Sequence, residues 1–224
     1  LPILPLRGVV VYPNTAVPLT VGQARSIKLV DDVVGGDKLV GLVAALDPEK
    51  ETPGPNELHK FGTIATVHRL LRAPDGTVRL LVQGMERFRL GEFVEEEPYL
   101  KARIHLAPET EETNIDTNAL ARNARDQFQQ ITQMIPSFPD ELVNSITSLE
   151  DPLQTAYTIA NFLRIDLKDA QEILELDSVY EKLKKLIGLL VREAEVLQIG
   201  QKIQNEARCE IEKVQREYFL REQM

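Results

Sequence analysis

Residues 178–224 read SVYEKLKKLIGLLVREAEVLQIGQKIQNEARCEIEKVQREYFLREQM. Ser178 and Glu181 stand at the spacing of a capping box, in which each side chain satisfies a free backbone amide of the first turn. Apolar residues then recur at helical spacing, and no proline interrupts the run. They are Leu183, Leu186, Leu190, Leu197, Ala207, Ile211, Val214 and Tyr218. The stretch therefore predicts one helix, which would reach roughly 65–70 Å at about 1.5 Å per residue.

A helix of that length cannot be covered by one compact domain of this size. We therefore expect it to project, to pair with a copy of itself, or to lead into a further module. Its apolar stripe is well filled through Leu197 and again from Ala207, while Gly200 and Gln204 leave a weak middle. The distal half could pair between protomers as a coiled coil, or it could be a solvated strut. The candidate inter-protomer residues are Ala207, Ile211, Val214 and Tyr218.

Residues 1–110 predict a β module, because their apolar runs are short and are separated by turns that contain proline or glycine. Asp75-Gly76, for example, supplies the positive φ that a tight hairpin needs. The predicted strands are Val9–Tyr12, a strand ending at Val17–Leu19, Gly41–Leu46, Thr63–Leu71, Thr77–Gln83, Phe88–Val94 and Tyr99–Leu106, and the predicted helix is Ser26–Val33. Many short strands of this kind are typical of a small barrel or of two packed sheets.

Residues 109–117 are polar and predict a linker, after which the apolar period becomes helical. Helical patterns near 120–135, 139–146, 151–163 and 167–174 predict a small bundle. We therefore predict an α+β fold with a β module over 1–110, a helical bundle over 111–177 and the long helix over 178–224.

Charge is unevenly distributed in this 224-residue chain of net charge −9. Residues 1–110 have a balance of −1, residues 111–177 of −9 and residues 178–224 of +1. No segment is strongly basic, which argues against nucleic-acid binding, and no apolar run approaches the roughly 18–20 residues of a membrane span. A single cysteine, Cys209, is typical of a reducing compartment. The chain starts without Met or a targeting peptide, so we expect a fragment of a cytoplasmic, bacterial protein.

The sequence contains no recognisable catalytic or cofactor motif. The stretch 35–38, Gly-Gly-Asp-Lys, lacks the spacing and the Ser or Thr of a phosphate-binding loop, and there is no Gly-x-Ser-x-Gly nucleophile turn. The three histidines are scattered, and none lies near Cys209 in sequence. We therefore predict no catalytic, cofactor or metal site, and expect that the segment is not itself an enzyme.

Several stretches that span the whole chain carry a family resemblance. They are Leu1–Pro13, Pro18–Gly22, Gly41–Ala44 with Asp47–Pro48, Phe61–Ala65, Pro74–Val78, Val82–Phe88 and Gln215–Met224. Together they resemble the N-terminal region of Lon, the ATP-dependent proteases of the AAA+ class. The resemblance implies a PUA-like β fold and a helical bundle that capture unfolded or degron-bearing proteins for a hexameric machine. It also implies that the family's Walker motifs, which use ATP and Mg, and its Ser–Lys dyad lie beyond Met224.

Strand alternation suggests one site independently of the family. If residues 85–90 are extended, Phe88 and Leu90 face the core, and Met85, Arg87 and Arg89 share the solvent face. An exposed methionine is a soft contact suited to varied apolar segments. The alternative is that Met85 fills a gap under the Asp75-Gly76 hairpin.

Pro18 and Leu19 are a second candidate, because proline disfavours central sheet pairing and indicates an edge. We hypothesise that Met85, Arg87, Pro18 and Leu19 contribute to a shallow surface that binds unfolded proteins. Two rival functions remain open: an RNA-binding PUA-like module, and a spacer that sets oligomer geometry without touching a client.

Overall fold

The computed structural model describes residues 1–110 and 114–223. Within them the fold is α+β, with a mixed six-stranded sheet followed by helices. The strands are β1 (Ile3–Leu6), β2 (Ala16–Val21), β3 (Leu39–Ala44), β4 (Phe61–Arg72), β5 (Val78–Glu95) and β6 (Lys101–Leu106). The helices are α1 (Ala24–Gly35), α2 (Ile115–Gln133), α3 (Asp140–Thr147), α4 (Pro152–Phe162), α5 (Leu167–Glu175) and α6 (Val179–Glu222). Residues 111–113 of the predicted linker, and Met224 at the end of the predicted long helix, lie outside the described residues.

The long strand β5 organises the sheet. It pairs with β4 along most of its length, with β2 through its first half and with β6 through its second half, always antiparallel. β3 pairs with β4, and β1 lies parallel to β3. The Ile3 N–H also donates to the Leu100 carbonyl oxygen (2.8 Å), just before β6 begins. The sheet therefore curls into a small barrel that is closed between β1 and β6 and open between β1 and β2.

The structure has one continuous strand where the sequence predicted two, Thr77–Gln83 and Phe88–Val94. Gly84 lies between them and is part of the extended strand. A Cβ atom at this position would overlap the carbonyl oxygen of Tyr12, so the backbone of the Tyr12 loop can approach only because residue 84 is glycine. The Gly84 N–H also donates to the Thr15 carbonyl oxygen (2.8 Å), which holds the loop in place.

A β-bulge follows Gly84 directly. On β4, Ala65 and Ile64 are consecutive, but their partners on β5 are Gly84 and Glu86, so Met85 is an extra residue. A bulge leaves the extra residue unpaired and disrupts the ladder locally. Simple alternation of side chains between the two faces therefore fails at Met85, and the placement of the residues that follow it cannot be read by parity.

The predicted first strand, Val9–Tyr12, is wrong. The first strand is β1, and residues 9–12 form an irregular segment. The carbonyl oxygen of Val11 accepts a hydrogen bond from the Thr63 hydroxyl (2.6 Å), and that of Tyr12 accepts one from the Thr15 hydroxyl (2.7 Å). The hydroxyl groups of Thr63 and Thr15 thus provide the hydrogen bonds to these carbonyl oxygens that a neighbouring strand would otherwise provide.

The helices form a bundle around the first half of α6. Ser178 caps this helix, because its hydroxyl oxygen accepts a hydrogen bond from the Glu181 N–H (3.4 Å), which is one of the two hydrogen bonds of the predicted capping box. The buried residues of the bundle include Phe128, Ile131, Ile146, Tyr157, Ile159, Ile173, Leu183, Leu186 and Leu190. From residue 198 to residue 223 every side chain of α6 is exposed. The distal half therefore projects beyond the bundle.

Within the described ranges, every helix is too short or too polar to cross a lipid bilayer.

Candidate functional site

The first half of β5 forms a three-stranded surface with β2 and β4. Residues directly opposite each other in antiparallel strands point to the same face. One set of partners, which includes Leu19, Leu80 and Val67, is buried in the barrel core. The other set is exposed or half-buried, and we call it the open face. It consists of Ala16, Pro18 and Thr20 from β2, Thr66, Arg69 and Leu71 from β4, and Arg79, Leu81, Gln83 and Met85 from β5.

Met85 lies at the end of the open face, where the bulge holds it out of the ladder. Its side chain is 44% exposed, and the Thr66 hydroxyl donates a hydrogen bond to its sulfur atom (3.0 Å). The exposure predicted for Met85 is observed. Nearly half of the surface of Met85 is therefore available to contact another molecule.

Pro18 and Leu19 separate onto opposite faces of β2. Pro18 is exposed and lies opposite Leu81 on the open face. Leu19 is only 8% exposed and packs in the barrel core, so the prediction that it belongs to an exposed patch is wrong. The reason is strand alternation, since neighbouring residues of an extended strand point to opposite faces.

Arg87 is buried, which corrects its predicted place beside Met85 on a solvent face. Its side chain is 2% exposed, and its guanidinium packs over the ring of Phe61 at 5.1 Å from the centroid. The guanidinium donates to the carbonyl oxygens of Ala107 (2.6 Å), Leu174, Glu175 and Leu176 (each 3.0 Å) and to the carboxylate of Asp177 (2.6 Å). Carbonyl groups at a helix C-terminus lack intrahelical partners and favour a cation. Arg87 thus joins β5 to the end of α5.

Lys182 on α6 also binds the C-terminal end of α5. It is fully buried, and its ammonium donates to the carbonyl oxygens of Ile173 (2.6 Å) and Leu174 (3.0 Å). A carboxylate oxygen of Glu109 lies 3.9 Å from this ammonium and 3.6 Å from the Arg87 Nε. Burial lowers the pKa of Lys182 to about 7, although Glu109 acts in the opposite direction.

Two tyrosines complete the contact between the β module and the helices. The ring of Tyr157 on α4 stacks on that of Tyr12 with centroids 5.2 Å apart, and the Tyr157 hydroxyl donates to Glu109. Burial raises the pKa of both hydroxyls well above the ordinary value. We call Arg87, Glu109, Tyr157, Asp177 and Lys182 the junction cluster.

The junction cluster was not predicted from the sequence, although one signal was present. Lys182 lies between Val179 and Leu186 on the apolar stripe of α6, where a charged residue is out of place. A charge on a buried stripe indicates a paired or hydrogen-bonded partner. The identity of that partner depends on contacts that are distant in sequence.

A cavity of about 560 Å³ lies at the open seam of the barrel. Its lining includes Pro5 of β1, Pro18 and Leu19 of β2, and the nearby Pro48 and Pro53. Proline lacks an N–H donor, so its presence on both strands limits the pairing of a further strand at this seam.

The distal half of α6 presents a continuous apolar stripe to solvent. Ala207, Ile211, Val214 and Tyr218 are all exposed, and Ile199 and Ile203 extend their line toward the bundle. Ile199 and Ile203 lie beside Gly200 and Gln204 and add exposed apolar surface there, and the predicted weak middle of the stripe stays a prediction. No neighbouring element in the described ranges covers the stripe.

No three His, Cys, Asp or Glu side chains of the described chain are placed so that they could hold a metal ion.

Comparison with known proteins supplies the context for these surfaces. Residues 1–192 match the family model described as the ATP-dependent protease La (LON) substrate-binding domain. Curated relatives include the Lon protease of Dictyoglomus thermophilum, 44% identical over 224 residues, which cover 100% of this chain and 28% of the relative. The Lon protease of Escherichia coli K12 is 35% identical over 224 residues, which cover 100% of this chain and 29% of the relative. The chain therefore spans little more than a quarter of the length of these relatives.

Solved structures agree with the fold. The N-terminal domain of a Mycobacterium avium complex Lon protease superposes with a TM-score of 0.70 at 19% identity, over 85% of this chain and 97% of that domain. A Lon N-terminal domain protein from Xanthomonas campestris gives a TM-score of 0.59 at 18% identity, over 84% of this chain and 96% of that protein. These likenesses confirm the predicted α+β architecture.

Proposed function

The chain belongs to the family of Lon protease substrate-binding domains, and from this premise we propose that its open face holds apolar segments of unfolded proteins. The observation that carries the proposal is the set of apolar side chains that the open face leaves exposed or half-buried. Pro18, Leu71, Leu81 and Met85 lie on the open face, and Leu71 is 66% exposed. Exposed apolar patches often mark interaction sites.

The open face is suited to varied clients for two physical reasons. The strands beneath it are packed against the barrel core, so their backbone does not have to be ordered on binding. Met85 is flexible and polarisable, so it can adapt to side chains of different shape. A rigid sheet that carries a flexible methionine is suited to bind segments that are alike in being apolar but differ in sequence.

Substitution of Met85 and Leu71 by serine tests this proposal. The labelled probe is a reduced and carboxymethylated protein that cannot refold, and binding is measured by fluorescence anisotropy. We expect each substitution to raise the Kd about three- to tenfold, because each removes part of a buried apolar contact from the complex. The melting temperature should change little, since both side chains are exposed in the free chain.

The matched control is Val94→Ser, which replaces an apolar residue of β5 that is exposed away from the open face. It should leave the Kd unchanged. Equal binding by the native chain, Met85→Ser and Leu71→Ser would contradict the proposal. Leu19 is not a suitable test position, because its substitution would open the barrel core.

We further propose that the distal stripe of α6 pairs with the same stripe of another protomer. An exposed line of Ala207, Ile211, Val214 and Tyr218 supports pairing, since an uncovered apolar helix face is stabilised by burial against a partner. Ile211→Cys in a Cys209→Ser background should form a disulfide-linked dimer under mild oxidation. Cys209 is exposed and lies about 160° around the helix from Ile211, so the native cysteine should cross-link far less. Absence of any dimer from Ile211→Cys at high protein concentration would favour the solvated strut.

We infer that the chain serves as the recognition and assembly part of a longer ATP-dependent protease. In a polypeptide that also carries the ATPase and protease modules, Met85→Ser should slow the degradation of an unfolded protein. Cleavage of a short unstructured peptide should be unaffected if the open face acts in capture rather than in catalysis. Equal slowing of both reactions would contradict a role in capture.

A further inference from the structure

The open face carries two arginines that form no close ion pair with another described residue. Arg69 and Arg79 are exposed, and neither has a carboxylate within 4.0 Å among the residues that the structure describes. Four other arginines of the β module are engaged, whereas Arg89 and Arg103 are exposed on β5 and β6 and form no ion pair within 4.0 Å among the described residues. Arg7 and Arg25 donate to the carbonyl oxygens of Pro48 and Glu96, Arg72 pairs with Asp31, and Arg87 belongs to the junction cluster.

The two free guanidinium groups are interleaved with the apolar contacts. Arg69 lies opposite Leu81, which in turn lies opposite Pro18. Arg79 lies opposite Leu71. Directly opposite residues are about 5 Å apart at Cβ, and diagonal neighbours about 7–8 Å. A segment bound on the apolar residues would therefore have its flanking side chains within reach of one or both arginines.

The carboxylates near the open face lie at its two ends. Glu86 is at the bulge beside Met85, and Asp75 is at the hairpin tip, where it accepts hydrogen bonds from the Thr77 N–H (3.0 Å) and hydroxyl (2.7 Å). Arg69 lies in the middle of the face, in the row of Pro18 and Leu81. Arg79 lies in the last row before the hairpin, where hydrogen bonds from Thr77 and, to a smaller extent, the charge of Arg79 lower the pKa of Asp75. The open face is thus locally cationic on a chain of net charge −9.

We propose that the open face selects apolar segments that are flanked by aspartate or glutamate. This inference rests on the proposed function, because it concerns the clients of the same surface. Charge complementarity is its basis: a flanking carboxylate can pair with Arg69 or Arg79 while the apolar core covers Leu81 and Leu71, and guanidinium groups bind carboxylates in a bidentate geometry. A flanking lysine would meet like charge in the same place.

Two other occupants fit the face less well. Single-stranded nucleic acid is anionic, but its bases stack on aromatic side chains, and the open face has none. A second copy bound face to face would bring two sets of arginines together, since an isologous contact uses the same patch on both partners. An acidic and apolar polypeptide satisfies both features of the surface.

The experiment compares three fluorescein-labelled peptides with the same core of leucine and phenylalanine, flanked on both sides by Asp, by Ser or by Lys. Binding to the native chain is measured by anisotropy at low ionic strength. We expect the Asp peptide to bind about three- to tenfold more tightly than the Ser peptide, as exposed ion pairs contribute modestly. The Lys peptide should bind more weakly than either. The differences should shrink as salt is added, because the Debye length falls from about 30 Å at 0.01 M to about 3 Å at 1 M.

The double variant Arg69→Glu/Arg79→Glu should reverse the order, so that the Lys peptide binds most tightly. Lys202→Glu/Lys213→Glu is the matched control, because it changes the net charge equally at exposed positions of α6. It should preserve the order of the native chain. Reversal in the first variant and not in the second supports the proposal.

The remaining outcomes overturn it in distinguishable ways. Equal binding of the three peptides would refute the preference for acidic flanks and leave the capture of apolar segments intact. Failure of all three to bind would refute the proposed function and this inference with it. If an RNA oligonucleotide bound more tightly than the Asp peptide and lost affinity in Arg69→Glu/Arg79→Glu, the face would be a nucleic-acid site. If that variant changed the sedimentation coefficient of the chain but no peptide affinity, the face would be a contact between copies.

Discussion

Replacement of Lys182 by methionine should abolish a pH dependence of stability that the native chain shows above neutral pH. The ammonium of Lys182 is fully buried, and burial lowers its pKa to about 7. In the unfolded chain the pKa of a lysine is about 10.4. Between these two values the unfolded chain binds a proton that the folded chain does not. The free energy of unfolding therefore rises with pH across this window and is independent of this group below it.

The size of the effect follows from the difference between the two pKa values. Each pKa unit corresponds to about 1.4 kcal/mol, so between pH 7 and pH 10 the gain in the free energy of unfolding is on the order of 4 kcal/mol. This rise ends near pH 10 because the unfolded lysine then also loses its proton. Burial raises the pKa of Tyr12 and Tyr157, which acts in the opposite direction from about the same pH. Above that pH the unfolded chain loses protons that the folded tyrosines keep, and the free energy of unfolding falls again.

The assay is urea unfolding followed by circular dichroism at intervals from pH 7 to pH 10. The difference in unfolding free energy between the native chain and Lys182→Met should grow with pH in favour of the native chain. Lys184→Met replaces an exposed lysine of the same helix and should run parallel to the native chain. Parallel curves for Lys182→Met and the native chain would refute the reasoning. They would mean that Glu109 and the two carbonyl groups outweigh burial and keep Lys182 charged.

The remaining predictions concern packing. Arg87→Met should lower the free energy of unfolding by about 3–5 kcal/mol, since it leaves carbonyl groups and a carboxylate without their cation, whereas Arg89→Met at an exposed position should change it little. Gly84→Ala should destabilise the chain by about 1–3 kcal/mol, because the new Cβ would press on the carbonyl of Tyr12. Gly188→Ala, in a helix and with no heavy atom within 4 Å of the added Cβ, should stabilise it by about 1 kcal/mol. Chemical unfolding measures all four, and a Gly84→Ala chain as stable as the native one would show that the bulge does not depend on this contact.

The candidate site was only partly accessible from the sequence. The exposure of Met85 and Pro18 followed from their neighbours in the chain, but Leu19 and Arg87 were misplaced. The alternation of side chains between the two faces of a strand can be predicted only where the strand contains no bulge. The bulge at Met85 is defined by the pairing of β5 with β4, which the sequence does not reveal. Whether these residues bind a client stays a prediction.

The family, the α+β class and the long capped helix were determined by the sequence alone. Each rests on local information, namely a motif, an apolar period or the residue at a helix end. Such signals do not depend on which distant segment of the chain lies nearby in the fold. The division of 1–110, 111–177 and 178–224 into separate units stays a prediction of the same kind.

Tertiary structure alone decided which charges are buried and which are free. Arg87 and Lys182 are held by the carbonyl groups that end α5, whereas Arg69 and Arg79 face solvent on an open sheet. All four look alike in sequence, as basic residues among apolar ones. The free energy of a charge depends on the polar groups that surround it in three dimensions, and those groups come from segments far apart along the chain.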